Sequence, residues 1–202
     1  TWTNAPLQEM LRVSGNISLS ISGSGFRSQT GTIAVEKPAN STVIAAYLTS
    51  TTWNNPNVPS VTIEGQPVTF SHHASVTSHQ LKNHFADVTS LVKNTIDAHA
   101  AGTFTLALDE GTAPVTSTNV DGEELVVIFE DPAKGTSSAI IMFGLSPLDV
   151  DSSFSVNFPA LSDLVAQKAS MSLGIAFSNQ SSGISAQSSS VKISTSSQPT
   201  PQ

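Results

Sequence analysis

Apolar and polar residues alternate with period two along much of this chain, which predicts strands with one buried face. Leu11, Val13, Ile17, Leu19 and Ile21 form one such run, with a break near Gly15. Residues 31–37 and 42–50 form two more, joined by the turn residues "PANS". "TTWNNPNVPS" then reads as a loop, and 60–70 as a hairpin folded at Glu64-Gly65. Two runs are continuously apolar, "LVVIF" at 125–129 and "AIIMF" at 139–143. They predict central strands covered on both faces, with a helix on one side. Further strands are expected at 103–109, 153–158 and 169–178, and a last alternating stretch, "SVKIST", lies near the C-terminal end.

One segment breaks the pattern. Val88, Leu91, Val92 and Ile96 fall at i, i+3, i+4 and i+8, which makes a single apolar stripe on a helix. Asp87 is placed to satisfy free N–H groups at its start and Gly102 to stop it, so one helix is expected near 87–100. The pattern as a whole predicts an all-β, two-sheet sandwich, jelly-roll or Ig-like, of about ten strands with that one helix. The chain divides into an N-terminal arm (1–10), a β-sandwich domain (11–178) and a Ser-rich C-terminal strand and tail (179–202).

Composition narrows the function. The 202 residues can bury a core without staples, and there is no cysteine, so disulfides and thiolate metal sites are excluded. A net charge of −7 with 8 Lys+Arg argues against nucleic acid and anionic membranes as partners. Charged residues make up 11% of the chain, and Ser and Thr fill the surface in their place, as in many extracellular β-proteins. No apolar run is long enough to span a membrane. Sequons occur at Asn16, Asn40 and Asn179. The ten serines of 178–202 and "SQPTPQ" suggest a tail or linker.

The acidic stretch "NVDGEELVVIFEDP" is the first candidate site. Asp121, Glu123 and Glu124, with Asn119 and Gly122 in the turn, could converge on calcium, a hard cation that takes six to eight oxygens. The competing reading is a solvated turn, which acid-rich turns on acidic proteins usually are. Glu130 and Asp131 lie at the far end of the strand, roughly 20 Å away at extended rise, so one site cannot hold both ends. The same acids could act as a glycoside-hydrolase pair, but nothing in the sequence sets two carboxylates at the needed separation.

Histidines are the second candidate. His72, His73, His79 and His84 could hold zinc or copper. Their spacing fits no zinc pattern, and a polar loop before the helix is the plainer reading; if extended, His72 and His73 point to opposite faces. There is no GxSxG, P-loop or credible GxGxxG, so the expectation is a non-enzyme. The arm and "SVKIST" could each add a strand to a neighbouring copy's sheet.

Taken together and in order, "QTGTIAVEKPANSTVIAAYL", "HFADVTSLVKNTIDA", "VDGEELVVIFEDP" and "ASMSLGIAFS" resemble exported bacterial β-domains of large secreted adhesins and of surface proteins with sorting tails. The resemblance covers about residues 11–178. It implies export, a β-sandwich and a role at the cell surface, extracellular and not enzymatic. Some related modules are calcium-dependent ligand binders. The acid-free end of this chain, "NQSSGISAQSSSVKISTSSQPTPQ", departs from the glycine- and aspartate-rich stretch of the family, so no calcium site is carried over there. The expected functions are therefore a structural or adhesion protein, self-assembling into a filament or matrix by strand complementation, or a calcium-dependent ligand-binding adhesin domain. The partners would be copies of itself or a cell-surface ligand.

Overall fold

The computed structural model describes residues 2–3, 7–25, 29–53, 57–76, 81–111, 119–145 and 170–172. The strands expected at 153–158 and in "SVKIST", His79, Asn179 and nearly all of 169–178 and 179–202 lie outside them. Ser170–Ser172 is described and forms no regular element.

The elements are β1 (Trp2–Thr3), β2 (Gln8–Gly15), β3 (Ile17–Ser24), β4 (Thr30–Lys37), β5 (Thr42–Trp53), β6 (Thr62–Ile63), β7 (Gln66–Pro67), β8 (His72–Ser75), β9 (Leu81–Asp87), α1 (Thr89–Ala98), β10 (Gly102–Asp109), β11 (Asn119–Glu130) and β12 (Ser137–Phe143). A six-stranded sheet has the order β1-β8-β9-β5-β11-β3, a four-stranded sheet β4-β10-β6-β7, and β12 pairs with β2 in a two-stranded ribbon. The fold is an all-β sandwich with one helix, as the alternation predicts. The ribbon adds a third layer.

The largest sheet has a core on each face. Leu125, Val127 and Phe129 of β11 point into the main core, with Leu48 of β5, Ile33 and Val35 of β4, Leu106 and Leu108 of β10, and Val92 and Ile96 of α1. Val126 and Ile128 point the other way and pack with Ala139, Leu11, Val13 and Ile141 of the ribbon. This is why "LVVIF" has no polar residue: β11 lies between β5 and β3 and both its faces are covered. "AIIMF" does not follow the same rule. It lies in the two-stranded ribbon, and Ile140, Ile141 and Met142 are only partly buried.

In β3 the alternation is inverted. Leu19 and Ile21 are 42% and 36% exposed, while Ser20 is buried. The serines face the edge of the smaller sheet and act as a strand made of side chains. Ser20 Oγ accepts the Glu36 N–H at 2.9 Å, Ser22 Oγ donates to the Ala34 carbonyl at 2.5 Å, and Ser24 Oγ donates to the Thr32 carbonyl at 2.9 Å. These bonds close the sandwich at the corner where β3 meets β4.

The helix closes a second gap in the same way. β9 pairs with β5 only from Tyr47 onward, which leaves the first half of β5 without a neighbour on that side. Thr89, Lys93 and Asp97, at i, i+4 and i+8, fill it. Thr89 Oγ1 accepts the Ala46 N–H at 2.8 Å, Lys93 Nζ donates to the Val43 carbonyl at 2.5 Å, and Asp97 Oδ1 accepts the Val43 N–H at 2.8 Å. One polar stripe of α1 thus completes a sheet edge, while Val88, Val92 and Ile96 fill the core. Asp87 accepts the Thr89 N–H at 2.9 Å, the expected role at the helix start. The stop is not Gly102, which opens β10. His99 leaves the helix in an extended conformation, and the nearly buried Lys37 donates to the Asp97 and His99 carbonyls at 2.8 and 2.7 Å. Replacing Lys37 with Met is expected to strand both carbonyls and cost about 1.5–3 kcal/mol in a denaturant melt; an unchanged midpoint would contradict this role.

Three further differences from the sequence expectation concern boundaries. Thr51–Trp53 continue β5 and are not loop. β2 starts at Gln8, inside the segment assigned to the arm. His72 to Ser75 and Leu81 to His84 belong to strands, where a polar loop was the plainer reading. The Glu64-Gly65 turn is as expected, with φ of 51° and 73° at its two residues, which suits a tight two-residue hairpin.

Candidate functional site

Cross-strand register sets a row of polar side chains on the inner face of the six-stranded sheet. His73 of β8 lies opposite His84 of β9, His84 opposite Ser50 of β5, and Ser50 opposite Glu123 of β11. His84, Ser50 and Glu123 are 1%, 0% and 4% exposed, as buried as the aliphatic core beside them. Two of the four histidines considered for a metal, His73 and His84, therefore meet, with Nδ1···Nδ1 at 2.8 Å. His72 points to the opposite face, against Phe85. His84 Nε2 bonds to Thr52 Oγ1 at 3.1 Å.

Burial dominates the chemistry of the row. It pushes the His84 imidazole down to about 4, with the neighbouring His73 and Lys82 adding to the shift. His73 is lowered too, first by burial and then by nearby positive charge. One proton between the two Nδ1 atoms joins the rings as long as at least one of them is neutral, so the pair cannot carry two charges and keep this bond. Ser50 and His84 do not form a nucleophile–base pair, since the Ser50 hydroxyl donates to Glu123 Oε1, at 3.4 Å.

At the other end of the row are carboxyls. Burial, with the charge of Glu110 added, pushes Glu123 up to about 8 against a small lowering by the Ser50 hydrogen bond. Glu110, just past the end of β10, is pushed up to about 7 by burial and by Asp109. Glu110 Oε1, Asp121 Oδ2 and Glu123 Oε2 are each buried without a hydrogen-bond partner. A carboxyl in such a place keeps its proton where an exposed one loses it.

The three predicted calcium ligands take different positions. Glu123 points inward, and Glu124, the next residue of the strand, lies on the opposite face with its carboxyl raised by burial. Asp121 sits in a β-bulge between Val120 and Gly122, its carboxyl also raised by burial. Gly122 is required there: at φ 151° a Cβ would come within 2.8 Å of the Ser24 carbonyl oxygen. Among the described residues no group of three or more His, Cys, Asp or Glu is placed to hold a metal ion. Sequence reasoning missed Ser50, which only the β5–β11 register brings to Glu123, and Glu110, which comes near it from the end of β10 in the other sheet.

Asp131, at the far end of β11, is a turn-former. Its carboxylate accepts the Ser18 hydroxyl and, at 3.0 Å, the Ala133 N–H, and its own N–H donates to the Asn16 carbonyl at 2.7 Å. It is 2% exposed, so Asp131→Ala is expected to leave these donors unmatched and cost about 1–3 kcal/mol, read by thermal or urea unfolding.

Among the described residues no helix is long and apolar enough to cross a membrane. No protein-family model, curated protein or solved structure matches the chain.

Proposed function

We propose that this chain is an extracellular structural or adhesion module, without catalytic activity, that acts through its surfaces and joins copies of itself by strand addition. The carrying observation is the pairing of β1. Trp2–Thr3 forms a two-residue parallel ladder with β8, Trp2 opposite Ala74 and Thr3 opposite Ser75, at the edge of the largest sheet. So short a ladder holds its strand weakly, and the same edge can take the equivalent segment of a neighbour. The Ser/Thr-rich, cysteine-free composition supports a place outside the cell or on its surface. Light scattering and negative-stain microscopy test the assembly. The full chain is expected to grow into larger species with concentration, and a chain lacking residues 1–6 to stay monomeric. A full chain that is monomeric at every concentration would sink the proposal.

A second reading, a calcium-dependent ligand-binding domain, rests on the buried carboxylate oxygens that lack a partner on Glu110, Asp121 and Glu123, although these residues do not gather as one set of metal ligands. It requires the melting temperature to rise with calcium and fall with chelator; a melt indifferent to both would remove it.

A further inference from the structure

The six-stranded sheet ends at β3, and among the described residues no ladder joins the free edge of β3 to another strand. Its serines reach β4 from the inner face, through side chains alone. The outer face of β3 carries Leu19, Ile21 and Gly23, all exposed, opposite Ile128, Val126 and Glu124 of β11. Sheet edges are usually blunted by a charge, a proline or a bulge. β3, "ISLSISGS", has no charge and no proline, and its register with β11 runs without a shift. It is an apolar strand edge open to a further strand.

Glu124 makes this edge selective. It is half-buried on β11, and burial raises its carboxyl with no cation or hydrogen-bond donor among the described residues to offset the rise. The position facing it on β3 is Gly23, where an added Cβ would meet nothing nearer than 3.7 Å. The gap leaves a path from the edge of the sheet to the carboxyl. A strand added beside β3 would lie about 10 Å from β11, two strand spacings away. Lys and Arg can cross that distance, their stems laid along apolar surface and their charge at the tip. The net charge of −7 favours the approach of a basic segment over that of another acidic one.

We propose that the β3 edge is a docking site for an extended segment of a different protein, with apolar side chains opposite Leu19 and Ile21 and a Lys or Arg opposite Gly23 that reaches Glu124. Main-chain hydrogen bonds to β3 hold the segment, the two apolar positions set its register, and the Glu124 carboxylate pairs with its cation. A second copy of this chain does not fit: within the described strands the alternation of two apolar residues and a basic one occurs at Ile33, Val35 and Lys37, and all three are buried in β4. The site stands apart from assembly through β1, which uses the opposite edge of the sheet.

The test is a fluorescence-anisotropy titration of the full chain against two labelled peptides, Thr-Val-Thr-Ile-Thr-Lys-Thr and the same residues in reverse order, so that both strand directions are sampled. Saturable binding of at least one is expected, and replacing its Lys with Glu is expected to weaken binding at least tenfold. Glu124→Gln, which removes the charge, and Gly23→Val, which fills the gap, are each expected to weaken the Lys peptide at least tenfold. Glu124→Lys is expected to reverse the preference and bind the Glu peptide the more tightly. That reversal separates a lost contact from a lost fold, since an unfolded chain gains affinity for neither peptide. The proposal is overturned if neither Lys peptide binds saturably, if Glu124→Gln and Gly23→Val bind as tightly as the unaltered chain, or if the charge swap leaves the preference unchanged.

Discussion

Raising the pH from 6 to 8 is expected to weaken the folded chain, and Glu123→Gln is expected to remove most of that loss. The Glu123 carboxyl holds its proton up to about 8 in the folded protein against an ordinary value of 4.5. Between those values the folded state binds a proton that the unfolded state has released, so stability falls as pH rises through the window. It is fully present below the lower value and flat above the higher one. The loss is about 1.4 kcal/mol for each pH unit, or roughly 2 kcal/mol between pH 6 and pH 8. Glu110 acts in the same direction, being raised to about 7. His84 acts in the opposite one. Its folded value of about 4 lies below the ordinary 6.5, so its contribution is present above 6.5 and is lost as pH falls toward 4. The two trends offset each other over most of the acid range, and the carboxyls alone act above 6.5. Urea unfolding of both chains at pH 6, 7 and 8 gives the comparison. Gln retains an acceptor for Ser50 and cannot ionise, so the variant is expected to be the more stable of the two at pH 8. A parallel fall in both chains would place the titrating group elsewhere.

Phe129→Ala is expected to cost about 3–5 kcal/mol, a large part of the roughly 5–15 kcal/mol that holds a typical domain together. Phe129 is fully buried on β11, between Val43 of β5 and Ser18 of β3, so its neighbours cannot easily collapse into the space. Ile44 is the contrast. It is the extra residue at the bulge where the register shifts between Ile128 and Phe129, and it is 42% exposed. Ile44→Ala is expected to change stability by about 0.5 kcal/mol or less. Thermal or denaturant melts of the two variants check both values; similar losses would mean that β11 is not the centre of the core.

What could be read from the sequence divides by range. The apolar run 125–129, the stripe on α1 and the Glu64-Gly65 turn are local signals, and each is found where local physics puts it. β3 misleads because its alternation is real but its serines have partners. Ser20, Ser22 and Ser24 bond to the backbone of β4, so the apolar side faces outward, and no local pattern reveals a partner strand. "AIIMF" misleads for a related reason: apolar content does not say which sheet a strand joins. The polar row is invisible in sequence because it depends on register. His73, His84, Ser50 and Glu123 come from four strands, and Glu110 from the end of a fifth. The acidic turn stands out in the sequence for its density of carboxylates. Its physical interest is that one of them, Glu123, points into the core while its neighbour Glu124 does not.

Strand addition at β8 can be tested directly with the Thr3→Cys/Ser75→Cys chain, since these two residues face each other in the β1–β8 ladder and the chain has no other thiol. The measurement is the size distribution after oxidation across a range of protein concentrations. Interchain disulfides that build a ladder of oligomers as concentration rises are the expected result. A monomer closed by an intrachain disulfide at every concentration would contradict the account.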